Sequence, residues 1–219
     1  MSRNAYQEQL YELREDVLEM SDVVCQRFRR ALEAYETGDE ALAESVIEGD
    51  HEINQLYLDL EGDCVELLAL QQPVAGDLRF VASSFKIITD LERVGDLAVN
   101  LAAYATQSGR ERYSEVDVVH IGTETVLLLE AAMEAYATDD AEATHEIAAT
   151  DDEIDAHCER ASRTVVRELL AADPSDEQLL EDVSRMLLTI RDLERVGDHA
   201  VNVAARTLYM VDNDETLLY

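Results

Sequence analysis

Glu92 and Asp96 stand four residues apart, and so do Glu194 and Asp198. On a helix that spacing puts both carboxylates on one face, one turn apart. Asp151 and Asp155 form a further pair of the same kind, and their counterparts in the first half of the chain are Asp50 and Asn54. If the helices carrying these pairs lie side by side, oxygens from two helices converge. Such clusters suit hard or borderline cations, because carboxylates supply both charge and coordination positions. The candidate metal ligands are therefore Glu92, Asp96, Glu194, Asp198, Asp151, Asp155 and Asp50. Asn100 and Asn202 extend the two lines by another turn. The same spacing also describes a solvated acidic face on which Arg93 and Arg195 relieve repulsion. Spacing alone leaves both readings standing.

The Glu–Asp pairs sit inside one heptapeptide, Asp-Leu-Glu-Arg-Val-Gly-Asp, which occurs at 90–96 and again at 192–198. An identity of that length in 219 residues marks a duplication. Other correspondences agree: Ala34-Tyr35 with Ala135-Tyr136, Asp50 with Asp151, and Pro73 with Pro174, each 101 positions apart. The heptapeptides lie 102 apart, so one residue entered the second half after Pro174. Packing tolerates volume-conserving swaps. Repeated Glu, Arg and Asp at fixed offsets ask for more than packing.

The elements that position these residues are long helices. Apolar residues recur at three-to-four spacings over roughly 5–36, 40–71, 76–107, 113–137, 140–171 and 175–210, with no competing strand-like alternation. Thr37-Gly38-Asp39 breaks the first pair of helices, and the stretch from Gln72 to Gly76 breaks the second. The expected fold is all-α: six long helices in two three-helix bundles related by a pseudo-twofold axis, one over 1–108 and one over 109–219, joined near 107–110. Gly95 and Gly197 fall in the apolar stripe, where glycine costs ~1 kcal/mol against alanine. A close helix approach is expected at each.

Two prolines and eight glycines in a chain rich in Ala, Leu and Glu suit long helices. No stretch approaches ~20 apolar residues and the N-terminus lacks an apolar signal region, so a cytoplasmic protein without membrane insertion is expected. The formal net charge is −32, and Lys86 is the single lysine. The acids are interleaved with apolar positions along the whole length, as on a folded protein adapted to very high salt. Nucleic acid is an unsuitable partner for a surface of that sign. Cys25, Cys64 and Cys158 are dispersed on apolar faces and read as small buried hydrophobes.

Other chemistry finds no constellation to carry it. The inward Glu-x-x-His pattern of ferritin-like bundles is missing, Glu194 and His199 being five apart. No nucleophile elbow, phosphate-cradling glycine loop or His-Glu-x-x-His pair occurs. His51, His120, His145, His157 and His199 read as surface or seam histidines. The residues describe a helical binding or regulatory protein rather than an enzyme.

The sequence resembles the PhoU family of phosphate-uptake regulators over nearly its whole length. The resemblance rests on Val46-Ile47-Glu48-Gly49-Asp50 with Ile53-Asn54, then Gln72-Pro73, Asp77-Leu78-Arg79, Thr89, and the heptapeptides at 90–96 and 192–198. It implies two three-helix bundles and Glu/Asp-x-x-x-Asp motifs that hold multinuclear iron, zinc or manganese clusters in some members. Carried across, these motifs are Glu92/Asp96, Glu194/Asp198 and Asp151/Asp155, while Asp50/Asn54 departs from the acidic pattern at Asn54. The resemblance also implies contact with the ATPase subunit of a phosphate ABC transporter and with a membrane sensor kinase, and a homodimer. Regulation of a different transporter, a metal-buffering role and a metal-dependent phosphoesterase are the alternatives.

Overall fold

The computed structural model describes residues 3–70, 74–106, 113, 115–171 and 177–218. Its elements are α1 (Arg3–Thr37), α2 (Glu40–Glu48), α3 (Asp50–Leu70), α4 (Ala75–Ala105), α5 (Val118–Thr138), α6 (Ala141–Ala171) and α7 (Glu177–Asp212). Helices α1, α4, α5 and α7 form the centre: α1 packs on α4 and α5, and α7 packs on the same two. Helices α2 and α3 lie over α1 and α4, and α6 lies over α5 and α7. The result is two three-helix bundles joined along α4–α7 and α1–α5. The breaks expected at Gln72-Pro73 and at Pro174, and the junction at 107–110, lie outside the described residues.

The turns show the duplication at atomic detail. Gly38 takes a left-handed φ of 72°, and its counterpart Asp139 takes 56°. Asp39 then caps α2 by accepting from the Leu42 amide, as Asp140 accepts from those of Glu142 and Ala143. A left-handed aspartate is less comfortable than a glycine. Arg14 braces this one, with Nη2 2.8 Å from Asp139 Oδ1 and Nη1 donating to Ala137 O. The same guanidinium lies 5.0 Å from the Phe80 ring centre and 5.4 Å from that of Tyr136.

Two boundaries differ from the periodicity. The arm read as one helix over 40–71 is divided at Gly49 into α2 and α3. Gly49 N bonds back to Ser45 O, while the buried Arg27 donates to Gly49 O and pairs with Glu52 Oε2 at 2.6 Å. In the second half the same positions hold Leu128 and Thr150, and α6 runs through unbroken. A polar arginine in place of an apolar leucine needs a free carbonyl, and the glycine supplies it. The fourth helix starts at Val118 rather than 113, because Asp117 caps it by accepting from the His120 amide. Residues before it turn instead, with Val116 N bonded to Tyr113 O and the Tyr113 ring buried.

The core runs continuously through both bundles, from Leu13, Val17 and Met20 on α1 to Val196, Ala200 and Val203 on α7. Cys25, Cys64 and Cys158 are buried free thiols in it, and burial pushes them up to about 11, 12 and 12.

Candidate metal centre

Helix α6 carries Asp151 and Asp155, and α7 carries Glu194 and Asp198. The two helices pack along their length. The notch at Gly197 sets the depth: a methyl built on it would overlap Asp151 Oδ1. The missing side chain thus admits a carboxylate into the α6–α7 seam. Asp151 is buried, and its Oδ1 has no hydrogen-bond partner. Asp155 Oδ1 is likewise buried and unpartnered, while Glu194 and Asp198 are exposed at the rim.

Electrostatics bind the four into one cluster. Burial, then the charges of Asp155, Asp198, Asp152 and Glu194, push the Asp151 carboxyl up to about 7. Burial and the nearby Asp198 and Asp152 raise Asp155, and burial with Asp155 and Asp198 raises Glu194. Asp151, Asp155 and Glu194 are each raised first by desolvation and then by like charge. Arg195 offers no relief, since it turns to Asp192, with Nη1 3.8 Å from Oδ1. Buried carboxylate oxygens without donors, converging from two helices, fit a cation.

The first bundle assembles the matching residues differently. At Gly95 the notch receives Ile53, whose Cδ1 and Cγ2 would lie 3.0 and 3.1 Å from an added methyl. Asp50 stays half-buried and accepts from Asn54 Nδ2 at 2.7 Å. Arg93 spans the other pair, with Nε 3.4 Å from Glu92 and Nη1 3.3 Å from Asp96. Glu92 is still raised, by burial and by Asp96 and Asp50, against the opposing pull of Arg93 and His199. Asp50, Asp96, Arg93, Asn100 and Arg195 share a crevice of about 260 Å³. Asp50, Glu92 and Asp96 are thus brought together, but one oxygen of each already faces Asn54 or Arg93.

The remaining repeated residues do something the spacing did not disclose. Asp90 Oδ1 accepts from Asn202 Nδ2 at 3.1 Å, and Asp192 Oδ2 accepts from Asn100 Nδ2 at 3.2 Å. These bonds are reciprocal: each copy's first aspartate takes the other copy's asparagine, across the α4–α7 seam. His199 Nδ1 adds a contact of 2.8 Å to Asp90, and Tyr104 Oη donates to Asp192 at 3.1 Å. Burial beside Asp192 pushes the Tyr104 phenol up to about 12, so it stays a donor. Asn100 and Asn202 therefore clasp the halves together rather than extending the acidic lines. The signal was in the sequence, since Asp90/Asn100 and Asp192/Asn202 share one spacing, but the helix across the seam was not.

This is a duplicated helical-bundle protein in which one motif serves both as an internal clasp and as an acidic face. A family model described as the PhoU domain matches it twice, at residues 17–105 and 118–207. The chain belongs to the PhoU family. The phosphate-specific transport system accessory protein PhoU homolog of Pseudomonas aeruginosa is 34% identical over 206 residues, covering 93% of this chain and 84% of that one. The PhoU of Escherichia coli is 29% identical, over 94% of this chain and 85% of its own. The crystal structure of PhoU from Pseudomonas aeruginosa superposes with a TM-score of 0.85 at 31% identity, over 95% of this chain and 100% of that chain. That of the phosphate transport system regulatory protein PhoU from Streptococcus pneumoniae gives 0.86 at 28%, over 96% and 99%.

Proposed function

We propose that this protein is a cytoplasmic accessory regulator of phosphate uptake, acting by contact rather than by catalysis. The observation that carries the reading is the PhoU domain in both halves, together with relatives named phosphate-specific transport system accessory proteins along more than nine-tenths of the chain. Its partners are the ATPase subunit of a phosphate ABC transporter and, where the cell has one, a membrane sensor kinase. At a net charge of −32, a basic docking surface on the partner gives the fastest encounter. Labelled phosphate uptake in a deletion strain tests the reading. Uptake in phosphate-replete cells rises when the regulator is lost, whereas unchanged uptake and unchanged transporter transcripts overturn it.

The second bundle holds an iron, zinc or manganese ion in this reading. Asp151, Asp155, Glu194 and Asp198 supply the oxygens, and the unpartnered Oδ1 atoms of Asp151 and Asp155 support the assignment. A bound cation supplies positive charge against their mutual repulsion. Asp50, Glu92 and Asp96 form the weaker counterpart, because Asn54 and Arg93 already engage them. Metal content after dialysis against a weak chelator separates the two. Replacing Glu194 and Asp198 by Ala removes the tighter class of site, and replacing Glu92 and Asp96 by Ala removes the weaker. Equal metal in the wild type and in the variant lacking all four returns these carboxylates to a solvated or partner-facing role.

A further inference from the structure

Helices α5 and α6 carry a cluster of different chemistry from the carboxylate face. His120 and Glu124 lie four apart on α5, and His157 reaches them from α6. His157 Nδ1 is 2.7 Å from Glu124 Oε2, and His120 Nε2 is 3.5 Å from Glu124 Oε1. The two imidazole rings are 5.9 Å apart, inclined at 38°. One donor atom from each of the three residues lies within 4.8 Å of the others. We propose that His120, Glu124 and His157 form a separate three-ligand site for a divalent transition-metal ion of zinc's class.

The distances suit that ion. Bonds of roughly 2.0–2.2 Å to nitrogen and oxygen set tetrahedral ligands roughly 3.3–3.6 Å apart. The histidine nitrogens lie 2.7 and 3.5 Å from the two oxygens of Glu124, and one ligand atom from each residue is within 4.8 Å of the others, so side-chain rotations bring all three to that spacing. The backbone holds the three in place. Asp117 caps α5 at the His120 amide, which fixes the turn that carries His120 and Glu124. His157 adjoins the buried Cys158 and stands one turn from the buried Ile154. The rings themselves are open to solvent, since His120 is exposed and His157 half-buried, so an ion has a path in. Three protein ligands leave a fourth position for water or for a partner's side chain.

The donor set is also selective. Imidazole nitrogens favour zinc, cobalt, nickel and copper over magnesium and calcium, unlike the carboxylates that cover the rest of this surface. Nor is the cluster a relic of the duplication. At the matching first-half positions stand Glu19, Val23 and Leu56, which cannot reproduce it. The competing arrangement is a metal-free ion-pair network in which both histidines approach Glu124, at 2.7 and 3.5 Å.

Zinc(II) titrated into the metal-stripped full-length protein, followed by imidazole C–H resonances, tests the site. The His120 and His157 resonances move together and saturate with one common midpoint, while those of His51 and His145 do not. His120→Ala and His157→Asn each abolish that response and remove one zinc from the binding stoichiometry, with the helical circular dichroism unchanged. The carboxylate cluster is separated by Glu194→Ala with Asp198→Ala, which leaves the histidine response intact. Zinc that leaves His120 unmoved at saturation, or a stoichiometry unaltered in both histidine variants, overturns the proposal.

Discussion

One heptapeptide faces two different helices, and the helix opposite decides what it does. In the second bundle the notch at Gly197 receives Asp151, and the acids there lack donors. In the first bundle the notch at Gly95 receives Ile53, while Asn54 and Arg93 occupy the acids. Among the polar residues only the clasp is used alike by both copies, Asp90 with Asn202 and Asp192 with Asn100. Identity within the motif therefore tracks the shared interface. The divergent partners, Asn54 against Asp155 and Arg27 against Leu128, track what each bundle has become.

The largest effect is expected from the clasp. Asp192 is buried, and its removal strands Asn100 and Tyr104 together with the pull of Arg191 and Arg195. Asn100 is exposed and Tyr104 half-buried, so each lost hydrogen bond costs roughly 0.5–1.5 kcal/mol. Asp192→Ala should lower the melting temperature by several degrees, and Asp90→Ala by less, because Asp90 is more exposed. Thermal melts of the two variants in the same high-salt buffer decide the matter. Equal losses mean that the clasp is as symmetric in energy as it is in pattern.

The two glycines separate the bundles more sharply. In Gly95→Ala the new methyl crowds a branched, fully buried isoleucine, which must shift against the core. Overpacking of that kind costs roughly 1–3 kcal/mol, against ~1 kcal/mol gained in helix propensity. In Gly197→Ala the obstacle is the end of a short side chain, so Asp151 swings out of the seam. The chelated Gly197→Ala protein should hold its melting temperature or gain, while the tighter metal is lost. Gly95→Ala should be the less stable and keep that metal. The reverse outcome removes the seam as the cause of the difference.

Much of this architecture is legible in the sequence, because a helix of about thirty residues declares its buried face many times over. The stripe on 140–171 becomes α6 at Ala141–Ala171 almost without change. The break at Gly49 was hidden because the apolar stripe continues through it. Its clue lay elsewhere, in an arginine at position 27 where the twin has Leu128. The acidic residues were placed on the correct helices by spacing alone. Which atom each one meets was not, since periodicity names a face and never the neighbour across it. Asn100, Asn202 and the His120–His157 contact were missed for that reason.

A smaller effect sharpens the contrast by pH. The Asp151 carboxyl is pushed up to about 7, so the folded state holds its proton more tightly than the unfolded chain does. In chelated protein the resulting stability is full below about 4, the ordinary aspartate range, and is lost as pH rises through about 7. Asp151→Asn removes that loss. At pH 8 the variant should melt a few degrees above the wild type, and at pH 4 the gap should close. The first bundle offers Asp50→Asn as the control, since Asn54 already satisfies that carboxylate. A gap that widens toward low pH has the wrong sign for a buried, repelled carboxylate.

The smallest effect lies on the pseudo-twofold relation itself. Arg29 on α1 and Glu130 on α5 occupy matching positions, 101 apart, and they pair with each other through both terminal guanidinium nitrogens. A residue meets its own counterpart only where the axis relating the halves passes close by. Both side chains are substantially exposed, at 46% and 38%, so the pair is worth roughly 0.2–1 kcal/mol. Arg29→Glu alone sets two carboxylates face to face, and Glu130→Arg alone sets two guanidiniums. In a protein this acidic the first should be the worse, because it adds negative charge where the second removes it. The double exchange, Arg29→Glu with Glu130→Arg, rebuilds the pair in mirror order on equivalent backbone. A double-mutant cycle measured by melting at low and at high salt then reads the symmetry directly. Full recovery in the exchanged protein means that the two positions are interchangeable. A coupling that fails to return, despite unchanged helical content, means that α1 and α5 have diverged at their own contact as far as α3 and α6 have diverged beside the heptapeptides.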